Sequence, residues 1–269
     1  MTAMLRPWPP APPNSADPGV PGLVVLPDAT AVADAVAARL LAALEQGQIL
    51  GLATGRTMQP VYRQLRRQLQ AWPAGRRRSL LNRWRSFNLD EYVGLGAGDA
   101  GAFATEMALA LAEPLGLPPG RLQLPDGRAP DPQQEARRYA AAVAAAGGIG
   151  LQLLGLGVNG HVGFNEPPCP ADAPCRCLLL SEATRRQNAA AFAGEPSAVP
   201  ARAITLGTAE ILAAEELLLV VTGGAKAEML RRSLQDPPGP AVPASWLQQH
   251  PRLQVLADAA AAAALRPCS

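Results

Sequence analysis

Lysine is almost missing from this chain. Of 24 basic residues only Lys226 is a lysine, and histidine occurs just twice, as His161 and His250. Where any surface cation will serve, this composition supplies arginine, so a retained compact ammonium marks a position with its own demand. The scarcity of histidine confines imidazole chemistry near neutral pH to two places. Cysteine is sparse as well: three of the four, Cys169, Cys175 and Cys177, crowd into "CPADAPCRC" with no fourth ligand at zinc spacing. They read as reduced cysteines in a loop and the strand after it, and no metal site is expected.

The chain also lacks an excess of charge of either sign. With 22 acidic against 24 basic residues, a net charge of +2 and 4% aromatics, nothing global calls for nucleic acid or a membrane surface as partner. Eight arginines between Arg63 and Arg85 read as a solvated helix face and loop. A long hydrophobic run is missing too. The most apolar stretch, "ITLGTAEILAAEELLLVVTGGA", is broken by Glu210, Glu215 and Glu216 and reads as a helix followed by a buried strand. "MTAMLRPWPPAPPNSADPGV" has no continuous apolar core of the signal-peptide kind. These absences predict a soluble, cytoplasmic protein. Residues 1–21 read as a disordered proline-rich tail and 22–269 as one domain.

What is present is an alternation. Short apolar runs such as "LVVLP", "QILGLA", "IGLQLLGLG" and "LLLVVTG" are separated by alanine-rich amphipathic stretches, including a helix around 102 to 115. This βαβα pattern predicts an α/β fold, Rossmann-like, with a mostly parallel sheet covered by helices on both faces. In such a sheet, ligands bind beyond the carboxyl ends of the strands. Four loops fall there: "TGRTMQP", "LDEY" at the end of a strand, "GVNGHVGFNEP" and "TGGAK".

"TGRT", formed by Thr54, Gly55, Arg56 and Thr57, precedes a helix with Pro60 expected at its first or second position, and exposed amides there suit an anion. "TGGAK" repeats the arrangement with Lys226 in the first helical turn. A cation there opposes the helix dipole, and an anion shared between two such turns would reward it. Asp90 and Glu91, adjacent in a strand, point to opposite sides, so one of them faces the site. Asn159, His161 and Glu166 lie within one glycine-rich loop, a setting in which an amide or carboxylate can orient an imidazole for proton transfer. His250 lacks such neighbours and reads as structural. Ser181 and Ser197 lack a nucleophile elbow.

Taken in order, "GLATGRT", "FNLDEYVGL", "GLGVNGHVGFNEP", "TRRQN", "AITLGTAEILAAEELLLVVTGGAKA" and "SWLQQHP" resemble the glucosamine-6-phosphate deaminases (isomerases), within the wider group that includes 6-phosphogluconolactonases. The resemblance runs over roughly 22 to 262. It implies that Asp90 moves a proton from C2 to C1 of the open-chain sugar and that His161 opens the ring, supported by Glu166 and Asn159. It further implies that Lys226, Arg185 and the Thr54 to Thr57 turn hold the phosphate of an amino sugar, with no metal or organic cofactor. Departures are visible. Asn159 stands where many members carry aspartate, Arg56 where a small residue is frequent, and "GAGDAGAFATEMALALAEPLGL" lacks the usual His-Pro-x-Ser-Tyr run. Oligomeric state and allosteric control do not follow from the resemblance. Two rival readings stay open at this point: a sugar-phosphate lactonase, and a non-catalytic sugar-phosphate sensor.

Overall fold

The computed structural model describes residues 22–267; the proline-rich tail of 1–21 and Cys268 lie outside the described residues. The chain begins with β1 (Leu23–Leu26), α1 (Ala29–Glu45), β2 (Leu50–Leu52), α2 (Met58–Gln70), α3 (Ala74–Arg83), β3 (Ser86–Asn88) and β4 (Asp90–Tyr92). There follow α4 (Phe103–Met107), a π-helical turn (Ala108–Ala112), α5 (Glu113–Leu115), β5 (Leu122–Gln123), α6 (Pro132–Ala145), β6 (Leu151–Gly155), β7 (Arg176–Leu179) and α7 (Glu182–Asn188). The last part holds β8 (Arg202–Thr205), α8 (Thr208–Leu212), β9 (Glu216–Val221), α9 (Ala227–Gln235), β10 (Leu253–Asp258) and α10 (Ala259–Ala262).

Local chemistry accounts for the long helices. Asp28 caps α1 by accepting from the Thr30 and Ala31 amides at 2.9 Å, and Val32, Val36, Leu40 and Leu44 then recur every fourth residue as its buried face. Asp131 caps α6 in the same way, with Pro132 at the first helical position, where a missing N–H costs nothing. The inner strands β2, β6 and β9 of the large sheet are predominantly apolar and buried. β9, "ELLLVV", is buried at every position, as expected of a strand covered on both faces.

Seven strands form one sheet in the order β1-β10-β9-β6-β2-β3-β5, and every pairing in it is parallel. From β2 the chain builds outward through β3 to β5, and then returns to lay β6 on the opposite side of β2. The order therefore reverses between β2 and β6, and such a switch point is where an open α/β sheet places its ligand crevice, beyond the carboxyl ends of the strands.

Part of the expected topology needs correction. "RSFNLDEY" is not one strand. After β3 the chain turns at Leu89, whose N–H donates to Leu52 and whose carbonyl accepts from Leu206, at 2.9 and 2.8 Å. Residues 90–92 then pair with β8 in a separate three-stranded antiparallel sheet, ordered β4-β8-β7. A small aromatic core lies under this second sheet, with Tyr92 ring centroids 4.8 Å from Phe103 and 5.4 Å from Phe164. Periodicity along a single strand cannot reveal a change of sheet.

The arginine-rich segment is engaged locally. Arg76 pairs with Glu45 and stacks on Trp72, and Arg66 donates to the Leu109 and Ala110 carbonyls of the π-helical turn. His250 is likewise structural, bridging the Ala214 carbonyl and the Arg252 amide. Cys169, Cys175 and Cys177 are free thiols, and no metal-binding cluster is present among the described residues. No described helix is long and apolar enough to cross a membrane.

Candidate active site

Three loops border the crevice: 53–57 after β2, 156–166 after β6 and 222–226 after β9. Asp90 enters from the side, at the junction of the two sheets, where it stands opposite Thr205 in the antiparallel register. The 156–166 loop reaches the same point. A Cβ added at Gly163 would lie 3.0 Å from Thr205 Oγ1 and 3.5 Å from Asp90 Oδ2, so the loop's backbone lies directly against the carboxyl group.

Asp90 is 5% exposed. Burial pushes its proton affinity well above the usual carboxylate range, and the charges of Glu91 and Glu106 add to the effect. A carboxyl group so placed is a strong base once ionised. Glu91 points elsewhere, as the strand period requires: its carboxylate accepts from the Tyr92, Phe103 and Ala104 amides at 2.7 to 3.0 Å and caps α4. Glu106, on α4, accepts from the Gly55 amide at 3.1 Å. No sequence signal marked it, because it lies in the segment that departs from the family pattern. The π-helical turn that follows it, and Arg66 on that turn's carbonyls, fix where α4 presents it.

The His161 ring packs on Gly157, where an added Cβ would fall 2.4 Å from the imidazole, so only glycine fits there. Burial lowers the His161 pKa to about 4; Glu166 opposes the shift and Lys226 reinforces it. The imidazole is therefore neutral at pH 7 and able to accept or donate a proton. Its neighbours differ from the sequence expectation. The Asn159 carboxamide oxygen accepts from the His161 backbone N–H at 3.3 Å, while Nδ1 of the ring is buried without a partner. Glu166 acts on the ring through its charge, and its carboxylate is held by the Ser181 amide, the Ser181 hydroxyl and the Thr184 hydroxyl. Ser181 is also the N-cap of α7.

An Asn159→Asp variant places a second carboxylate beside His161 and raises its proton affinity. The acidic limb of the pH–rate profile is expected to move upward. An unmoved limb would mean that residue 159 and the imidazole are uncoupled.

Lys226 ends a 3-10 turn over Gly224–Lys226 and immediately precedes α9, so it stands at the N-cap rather than within the first α-helical turn. Pro60 is likewise the third residue of α2, which starts at Met58, not its first or second. Burial lowers the Lys226 pKa to about 8, with the Arg56 guanidinium contributing. The 54–57 and 222–226 turns therefore bring two cations together, and among the described residues neither forms an ion pair. Two unneutralised cations at adjoining helix starts repel one another and favour an anion between them. Arg185 is not brought to them by any hydrogen bond: its guanidinium donates to the Val199 and Ser197 carbonyls at 3.1 Å.

Fold and site together define a Rossmann-like α/β protein in which a buried carboxyl group and a neutral imidazole lie near a pair of turns that carry cations. The chain belongs to the family of glucosamine-6-phosphate isomerases/6-phosphogluconolactonases, whose model matches residues 27–256. It is 42% identical over 217 residues to a glucosamine-6-phosphate deaminase of Rhodopirellula baltica, covering 81% of this chain and 84% of that one. It is 39% identical to the enzyme of the same name from Streptomyces avermitilis, covering 91% and 92% of the two chains. Among solved structures, a monomeric glucosamine-6-phosphate deaminase superposes with a TM-score of 0.83 at 33% identity, over 90% of this chain and 99% of that one. A 6-phosphogluconolactonase from Trypanosoma cruzi shares the fold, with a TM-score of 0.71 at 18% identity over 91% and 97% of the two chains.

Proposed function

We propose that the chain converts glucosamine 6-phosphate to fructose 6-phosphate and ammonia. The observation that carries this reading is the juxtaposition of a buried Asp90, a neutral His161 and the Arg56 and Lys226 cations around one crevice. Ring opening needs a proton taken from the anomeric hydroxyl and one given to the ring oxygen, which a neutral imidazole can do at pH 7. Asp90 then removes the C2 proton of the aldehyde and returns it to C1. Water adds to the resulting C2 imine and ammonia leaves. Lys226, Arg56 and the Thr54 to Thr57 turn hold the phosphate, the turn through amides other than that of Gly55, which donates to Glu106, so binding energy remote from the reaction positions C1 and C2. Arg185 is assigned to the phosphate as well, which requires its guanidinium to leave the Ser197 and Val199 carbonyls. Glu166 and Asn159 tune and support His161.

Kinship with the lactonases below 25% identity speaks for the fold alone, whereas the deaminase relatives match at near 40%. Purified protein given glucosamine 6-phosphate or 6-phosphogluconolactone in parallel is expected to release ammonia from the first and to accelerate no acid release from the second. Ammonia release is expected to persist in a chelator, since the proposed steps use side-chain acids and bases. Acid from the lactone without ammonia from the amino sugar would reverse the assignment.

A further inference from the structure

The two turns that border the crevice share a feature that their sequences do not announce. Each begins Thr-Gly, and in each the glycine amide is held by a carboxylate from a distant part of the chain. The Gly55 N–H donates to Glu106 Oε1 at 3.1 Å. The Gly223 N–H donates to both Asp258 oxygens at 3.0 Å, and Asp258, only 6% exposed, also accepts from the Ala261 amide at 2.7 Å as the N-cap of α10. Both glycines have positive φ, +106° and +88°, and a Cβ added to either would meet nothing within 4 Å. The turns thus need glycine for backbone conformation rather than for space, and no side-chain packing at that position fixes them.

The other side of each glycine is tied to the helix that follows. The Gly55 carbonyl accepts from the Met58 and Gln59 amides, and the Gly223 carbonyl accepts from the Lys226 amide at 3.0 Å. Each turn is therefore anchored at one end by a carboxylate and at the other by a helix start, with Arg56 or Lys226 within three residues of the glycine. A carboxylate beside an anion site is an electrostatic cost to a bound phosphate. Its presence at both turns makes sense if it shapes the backbone rather than touching the ligand.

We propose that Glu106 and Asp258 are paired positioning residues that hold the 54–57 and 222–226 turns in the shape that sets Arg56 and Lys226 side by side for a phosphate. This inference rests on the reading of those turns as the phosphate site. The alternative, that Glu106 occupies the Gly55 amide in competition with the phosphate, makes the opposite prediction for affinity.

The test uses the full chain and four variants: Glu106→Ala, Glu106→Gln, Asp258→Asn and, as reference, Lys226→Ala. Inorganic phosphate is titrated by calorimetry, and KM and kcat for glucosamine 6-phosphate are measured across pH. Glu106→Ala is expected to weaken phosphate about tenfold, the equivalent of one net hydrogen bond, and to raise KM alike. Glu106→Gln, whose carboxamide oxygen still accepts from Gly55, should bind phosphate within about twofold of wild type. Both variants remove the same charge near Asp90, so any shift of the pH–rate profile should be common to them. Only the loss of phosphate affinity separates them. Asp258→Asn keeps an acceptor at the Oδ1 position, which takes both the Gly223 and the Ala261 amides, and is expected to bind phosphate within about twofold of wild type, as Glu106→Gln does; should it fail to fold, the Glu106 pair decides alone. Phosphate binding by Glu106→Ala that equals or exceeds wild type would overturn the proposal, as would a Gln variant as weak as Ala. Unchanged phosphate affinity in Lys226→Ala would instead remove the phosphate site itself, and the positioning role with it.

Discussion

An Asp90→Asn variant is expected to lose at least ~10²-fold in turnover, the low end of what a general base contributes, while phosphate and product binding stay near wild type. The substitution keeps shape and removes only the capacity to take the C2 proton. It also leaves folding intact or improved. The folded proton affinity of Asp90 is raised by burial, then by Glu91 and Glu106. The sign follows from linkage: a raised group favours the folded state below the ordinary carboxyl value near 3.8, and that contribution is lost as pH rises through the raised value. At neutral pH the ionised form is therefore a burden that asparagine lacks. The expected combination is a large loss of rate with an unchanged or higher Tm. Exchange of the C2 hydrogen with solvent, followed by NMR, is the decisive measurement. Exchange that persists in the variant would move the base elsewhere, and Glu91 is poorly placed to take over because its carboxylate already holds three backbone amides.

Much of this architecture was legible in the sequence because it depends on local rules. Continuous apolar strands alternating with capped, alanine-rich helices specify a covered parallel sheet, and the site loops fall at its carboxyl edge for the same reason. Asp90, His161 and Lys226 were legible through adjacency to glycine-rich loops and through rarity. What escaped was set by distant pairing. The turn at Leu89 depends on hydrogen bonds to Leu52 and Leu206, which lie on other strands, so a continuous run of residues became two strands in two sheets. Glu166 was expected beside the imidazole by proximity in sequence, yet its carboxylate is held by two donors from Ser181, the N-cap of α7, and by the Thr184 hydroxyl in the first turn of that helix. Glu106 and Asp258 carry no motif, and their role appears only when the glycine amides they hold are traced. Asp258 did leave a local sign, an aspartate immediately before an alanine run, which is a helix-cap signature without any hint of the loop it also ties down.

Lys226→Ala is expected to weaken binding of phosphorylated ligand by about 10- to 150-fold, the loss of a charge-assisted contact of roughly 1.5 to 3 kcal/mol. Unphosphorylated glucosamine, which offers nothing to the ammonium, should bind as poorly to the variant as to wild type. The lowered pKa of Lys226, about 8, adds a pH signature. Below that value the free protein carries the ammonium and phosphate affinity is full; as pH rises through about 8 the free form loses its proton and affinity falls, because the bound phosphate needs the charge restored. Lys226→Arg keeps its charge throughout and should abolish this basic limb without recovering the full affinity. Its planar fork must enter a half-buried position beside Arg56, where a second guanidinium is longer and directional and the ammonium was compact. That mismatch explains why a chain that uses arginine for every other cation keeps lysine here. Wild-type affinity for glucosamine 6-phosphate in Lys226→Arg, with the basic limb gone, would show that charge alone is required and that the rarity of lysine carries no meaning at this position.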